Sequence, residues 1–123
     1  MKDLIYEVQQ RPIPQKRPRV YHKNGRVWAV DPSKWQKDDF VKQIHPRPEK
    51  LIDGPIAVKM IFEYKDKTAG YCPKYADLDN LIKFVLDALT GIVWVDDKQI
   101  VKLEAERKFW EKDRIYIRIK VIE

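Results

Sequence analysis

A single cysteine, Cys72, stands in this 123-residue chain, so no disulfide can form within it, and a reducing, cytoplasmic setting is expected. Only two histidines are present. His22 and His45 share no ligand spacing with the cysteine or with each other, which argues against a zinc site. No apolar stretch is long enough to span a bilayer, no leader-like segment is present, and no repeat recurs. A soluble, intracellular protein is therefore expected. Acidic residues are missing from one long stretch: none occurs between Glu7 and Asp31, while Arg11, Lys16, Arg17, Arg19, Lys23 and Arg26 are all basic. Such a one-sided field excludes a merely balanced surface there and suits a polyanion.

What is present is the composition of one globular domain: 44% hydrophobic, 11% aromatic and 36% charged residues, with a net charge of +6 and a pI near 9.4. Leu4, Tyr6 and Val8 alternate with polar residues, which predicts a strand over 3–9. Pro12, Pro14 and Pro18 keep the following basic arm extended. Asn24-Gly25 predicts a hairpin with Tyr21 facing Trp28. Basic and aromatic side chains in that arm suit phosphate contacts and stacking on unpaired bases. Asp31-Pro32 predicts the start of a helix over 32–44, with Asp31 as its cap and His45-Pro46 as its stop.

From Pro55 to Tyr64, Ile56, Val58, Met60, Phe62 and Tyr64 share one strand face, with Lys59 and Glu63 on the other. A basic loop at 65–75, containing Lys74, leads into an acidic cluster. Strands are then expected over 100–110 and 114–122, joined at Glu111–Asp113 as an antiparallel hairpin. The elements predict an α+β domain, a mixed sheet with two helices packed on it.

The acidic cluster is the chemically informative part. Leu78, Leu81, Ile82, Val85, Leu86 and Leu89 form one helical stripe, Asp77 is placed to cap it, and Gly91 to stop it. Asp79, Lys83 and Asp87 fall on the opposite face. An ordinary structural explanation exists, since acids suit a helix start and Asp79 with Lys83 is a stabilising i,i+4 pair. Two features favour chemistry. The apolar run Ile92–Val95 tethers Asp96-Asp97 to buried structure, and Asp77, Asp79, Asp96 and Asp97 are then expected to converge. Two carboxylates about 4 Å apart repel by roughly 4 kcal/mol at an effective dielectric near 20. A hard divalent cation, Mg²⁺ or Mn²⁺, would offset that repulsion.

Asp77-Leu78-Asp79-Asn80, Lys83, Asp87-Ala88-Leu89, Gly91 and Asp96-Asp97-x-Gln99, together with Arg17-Pro18-Arg19, resemble the pattern of the RusA family of Holliday-junction resolvases. The resemblance covers most of the chain and is weakest over 31–55. It implies that Asp77, Asp79 and Asp97 are the essential, metal-binding acids, that Lys83 is the catalytic lysine, and that Asp96 is a less critical neighbour. It further implies a Mg²⁺- or Mn²⁺-dependent homodimer that makes paired nicks across branched DNA in recombination and repair, in a family often carried by phages and prophages. Lys16, Arg17, Arg19 and Lys74 are the expected DNA contacts. The residues alone leave two alternatives open: another Mg²⁺-dependent flap or restriction-type nuclease, and a non-catalytic nucleic-acid-binding protein whose acids only cap helices.

Overall fold

Strand β1 (Leu4–Val8), a hairpin of β2 (Arg19–Lys23) and β3 (Arg26–Val30), helix α1 (Lys34–Val41), β4 (Ile56–Tyr64), helix α2 (Leu78–Leu89), β5 (Ile100–Phe109) and β6 (Arg114–Val121) follow one another along the chain. The computed structural model describes residues 3–65 and 76–123. Four strands form one mixed sheet in the order β1-β6-β4-β5, and β2 with β3 form a separate ribbon. The expected α+β architecture, a four-stranded mixed sheet with two helices, is present.

The nine residues of β4 sit at the sheet centre because their alternate side chains Ile56, Val58, Met60, Phe62 and Tyr64 are all buried. The antiparallel partner β6 adds Ile115, Ile117 and Ile119 to the same layer, and β1 adds Tyr6 and Val8. Leu81, Phe84, Val85, Ala88 and Leu89 of α2 close the core from above. Phe40 of α1 meets Phe84 edge-on, with ring centroids 5.7 Å apart. Each fully buried aliphatic or aromatic side chain contributes about 1.5–3 kcal/mol through removal from water.

One expectation is overturned. β5 and β6 are not hairpin partners: β5 pairs in parallel with β4, and β6 pairs with the opposite edge of β4. The physical reason is reach. Skipping one strand requires crossing two spacings of about 4.8 Å, and four extended residues span about 13 Å. The connection 110–113 therefore crosses the end of β4, held there by Trp110 N–H donating to the Tyr64 carbonyl (2.9 Å) and Lys65 N–H donating to Asp113 Oδ1 (3.0 Å).

Two smaller differences concern α1. It covers Lys34–Val41 rather than the whole of 32–44, and Ser33, not Asp31, holds the N-cap position. Asp31 works beside that cap instead: its Oδ1 accepts the Ser33 N–H (2.9 Å) and its Oδ2 accepts the Lys37 ammonium (2.7 Å). Burial of Asp31 opposes ionisation, but those bonds from Lys37 and Ser33 prevail and hold its carboxyl below the usual range.

Candidate active site

Helix α2 is the frame on which the site residues are placed. Asp77 is its N-cap in extended conformation, yet the carboxylate makes no capping hydrogen bond, contrary to expectation. It and Asp79, in the first turn, are both exposed, as are Lys83 and Asp87 further along the same face. Two solvent-facing carboxylates in one turn are hard oxygen donors of the type that suits Mg²⁺ or Mn²⁺. Asp87 has a partner, because Lys37 of α1 reaches it at 3.6 Å while also pairing with Asp31.

The basic arm is pinned to this turn. Gln15 N–H donates to the Asn80 carbonyl (2.9 Å), and Gln15 Nε2 donates to Asp31 Oδ1 (3.2 Å). Lys16 N–H donates to Ser33 Oγ (3.2 Å). The exposed side chains of Lys16, Arg17 and Arg19 follow directly on this anchored residue. On the other flank, the Arg107 guanidinium donates to the carbonyl of Ala76. Lys74, the fourth expected DNA contact, and Cys72 lie outside the described residues.

Asp97 is elsewhere. Its Oδ1 accepts the Thr90 hydroxyl (2.5 Å) and the indole N–H of buried Trp94 (3.1 Å), and Thr90 is the C-cap of α2. From N-cap to C-cap a helix rising 1.5 Å per residue covers roughly 20 Å here. Ligands of one cation must each lie about 2.0–2.6 Å from it, and aspartate side chains cannot close such a gap. Within one chain the expected convergence of four carboxylates does not occur, and no group of three or more metal-ligating side chains is found among the described residues. The donor chemistry of Asp77 and Asp79 suits a hard cation; Asp97 of the same chain does not complete the set.

The remainder of the second motif builds the loop that carries Asp97. Asp96 caps the short turn Asp97–Gln99, accepting the Lys98 N–H (2.9 Å). The Gln99 amide accepts from Val95 N–H (2.9 Å) and Asp96 N–H (2.8 Å), and donates to the carbonyls of Ile52 (2.7 Å) and Gly54 (3.0 Å). All of that amide's polar atoms are engaged, which ties the loop to the entry of β4. Thr90 and Trp94 were not picked out from the sequence as site residues. Their signal was faint: a hydroxyl at a helix end and an indole in an apolar run, each able to orient a nearby carboxylate.

Exposed carboxylates at a helix start, with an acid-free cationic arm bonded to that helix, suit an enzyme that acts on the phosphodiester backbone of a nucleic acid. The model of one such family, Endodeoxyribonuclease RusA, matches residues 9–120. The chain belongs to that family, the endodeoxyribonucleases that resolve Holliday junctions. It is also similar to "Uncharacterized protein YqaN" of Bacillus subtilis (strain 168), at 28% identity over 143 aligned positions covering 99% of each chain. Among the described residues, no helix is long and apolar enough to cross a membrane.

Proposed function

We propose that two copies of this chain bind a four-way DNA junction and nick two opposed strands in a reaction dependent on Mg²⁺ or Mn²⁺. Asp77 and Asp79 of one protomer and Asp97 of the partner subunit would hold the cation at each of two equivalent sites. The observation that supports this reading best is the bond from Gln15 N–H to the Asn80 carbonyl, because it anchors the basic arm to the first turn of α2, the turn that carries Asp79. The two-chain arrangement answers the separation along α2. A two-fold axis that brings the start of one α2 to the end of another unites acids that a single chain holds apart.

When bound, the cation lowers the pKa of water and offsets charge on the scissile phosphate. The protein's own groups do the rest. Lys83, one turn beyond Asp79, presents an ammonium on the same face and stabilises negative charge as it builds on the phosphate. Lys16, Arg17, Arg19 and, outside the described residues, Lys74 hold the backbone in register without reading bases. Asp97 is oriented in advance by the Thr90 hydroxyl and Trp94 indole, the kind of outer support that metal-ligating carboxylates use.

The test is cleavage of a synthetic four-way junction with mapped product ends, with and without chelator, beside flaps and plain duplex. The reading expects symmetric nicks near the branch that need the cation, and an Asp79→Asn variant that binds but does not cut. Equal cutting of flaps or duplex would assign the chain to another nuclease specificity. Cutting in chelator would end the cation assignment.

A further inference from the structure

The β2–β3 ribbon has no place in the core. Every residue of both strands is exposed, and an isolated two-stranded ribbon is only marginally stable in water. The turn at its tip, Asn24 (φ 52°) and Gly25 (φ 76°), has the left-handed backbone that fits the twist of a tight hairpin. The pairing register divides its side chains into two faces. Arg19, Tyr21, Lys23, Arg26, Trp28 and Val30 lie on one, and Val20, His22, Val27 and Ala29 on the other. On the first face, Tyr21 and Trp28 are stacked at 5.7 Å with their planes 20° apart, and each remains more than 40% exposed. Guanidinium and ammonium groups stand on both sides of that aromatic pair.

We infer that this face is a stacking platform for unpaired nucleobases at the DNA branch point, with Tyr21 and Trp28 as specificity-determining residues. Aromatic faces between cations match nucleobases between phosphates, and a partner protein's apolar surface would not call for the cations. Position supports the same occupant. The ribbon is rooted on both sides beside α2: Gln15 precedes β2 and bonds Asn80, and Gln15 also bonds Asp31, which follows β3. From Asp31 back to Trp28 is three residues of strand, about 10 Å, or roughly three nucleotide steps. The ribbon therefore carries its aromatic pair within a few nucleotide steps of the place where its root meets α2 at Asn80. This inference rests on the junction-cleaving reading above, and it adds what discriminates a branch from plain duplex.

The experiment measures dissociation constants of the full-length protein in chelator for a four-way junction and for a duplicate lacking the nucleobases that flank the branch point. Trp28→Ala and Tyr21→Ala should each weaken binding to the intact junction by about 10-fold and change binding to the abasic junction by less than about 2-fold. Trp28→Phe should keep most of the affinity. Because the ribbon lies outside the core, thermal melting of these variants should match the parent. Equal losses on intact and abasic junctions, or no loss on either, would overturn the inference. So would a shift from dimer to monomer in sedimentation, which would give the face to a second copy of the chain. Failure of the cleavage reading shows separately, as absence of cation-dependent nicking by the parent protein, while these binding ratios remain measurable.

Discussion

Removing the Arg114 side chain should unfold this domain more readily than any other single surface-proximal change. Glu63 faces away from the apolar layer of β4 but is fully buried, and its Oε1 accepts from Arg114 Nε (2.8 Å) and Nη2 (2.5 Å). The same guanidinium reaches Glu7 at 3.0 Å and lies 4.1 Å above the Trp110 ring. Breaking a buried pair by deleting one partner costs about 3–5 kcal/mol, because the remaining charge is stranded. Loss of the cation–ring contact adds about 0.5–1 kcal/mol. For a domain of this size each kcal/mol lowers Tm by roughly 3–5 °C, so Arg114→Ala should melt about 10–30 °C below the parent. Circular dichroism melts at pH 7 measure it. The double variant Glu63→Leu/Arg114→Met should recover most of the loss, since neither a charge nor an unpaired polar group is then left buried. A drop below about 3 °C for Arg114→Ala, or a double variant no better than the single, would show that Glu63 is not left as a stranded buried charge.

Further outcomes follow from other parts of the molecule. Replacing Lys16, Arg17 and Arg19 by alanine should reduce the slope of log affinity against log salt by about 2–3, read from junction binding between low and moderate salt. The Asp31 carboxyl, held below its ordinary value, contributes stability that is complete above the unfolded pKa near 4 and is lost as pH falls through the lower folded value. The stability difference between the parent and Asp31→Asn should therefore be constant at neutral pH and shrink as pH falls below about 4, measured by urea titration. Gly91, at φ 82°, follows the end of α2, so Gly91→Ala should cost about 1 kcal/mol in the same assay although its Cβ would meet nothing within 4 Å.

Local signals were legible where one periodicity or one turn decides the outcome. The alternation in β1, β4 and β6, the stripe of α2 and the Asn24-Gly25 turn all appear as the residues predict, including Tyr21 opposite Trp28. What needed the third dimension was adjacency. A short connection at 111–113 reads as a hairpin, yet the same length lets the chain step over β4. Glu63 alternates like a surface residue yet is fully buried, where it pairs with Arg114 from the neighbouring strand. The candidate site shows the same division. The residue types of both acidic motifs could be read from the sequence, whereas their placement at opposite ends of α2 depends on a helix running its full length between them.

The most direct test of the two-chain site mixes inactive proteins. Asp79→Asn and Asp97→Asn chains should each fail to nick a four-way junction alone. If Asp97 acts across the dimer, a mixed dimer contains one site with every acid intact, and equimolar mixing after subunit exchange should restore cation-dependent nicking of a single strand. Mixed dimers that form but stay inert would contradict the account.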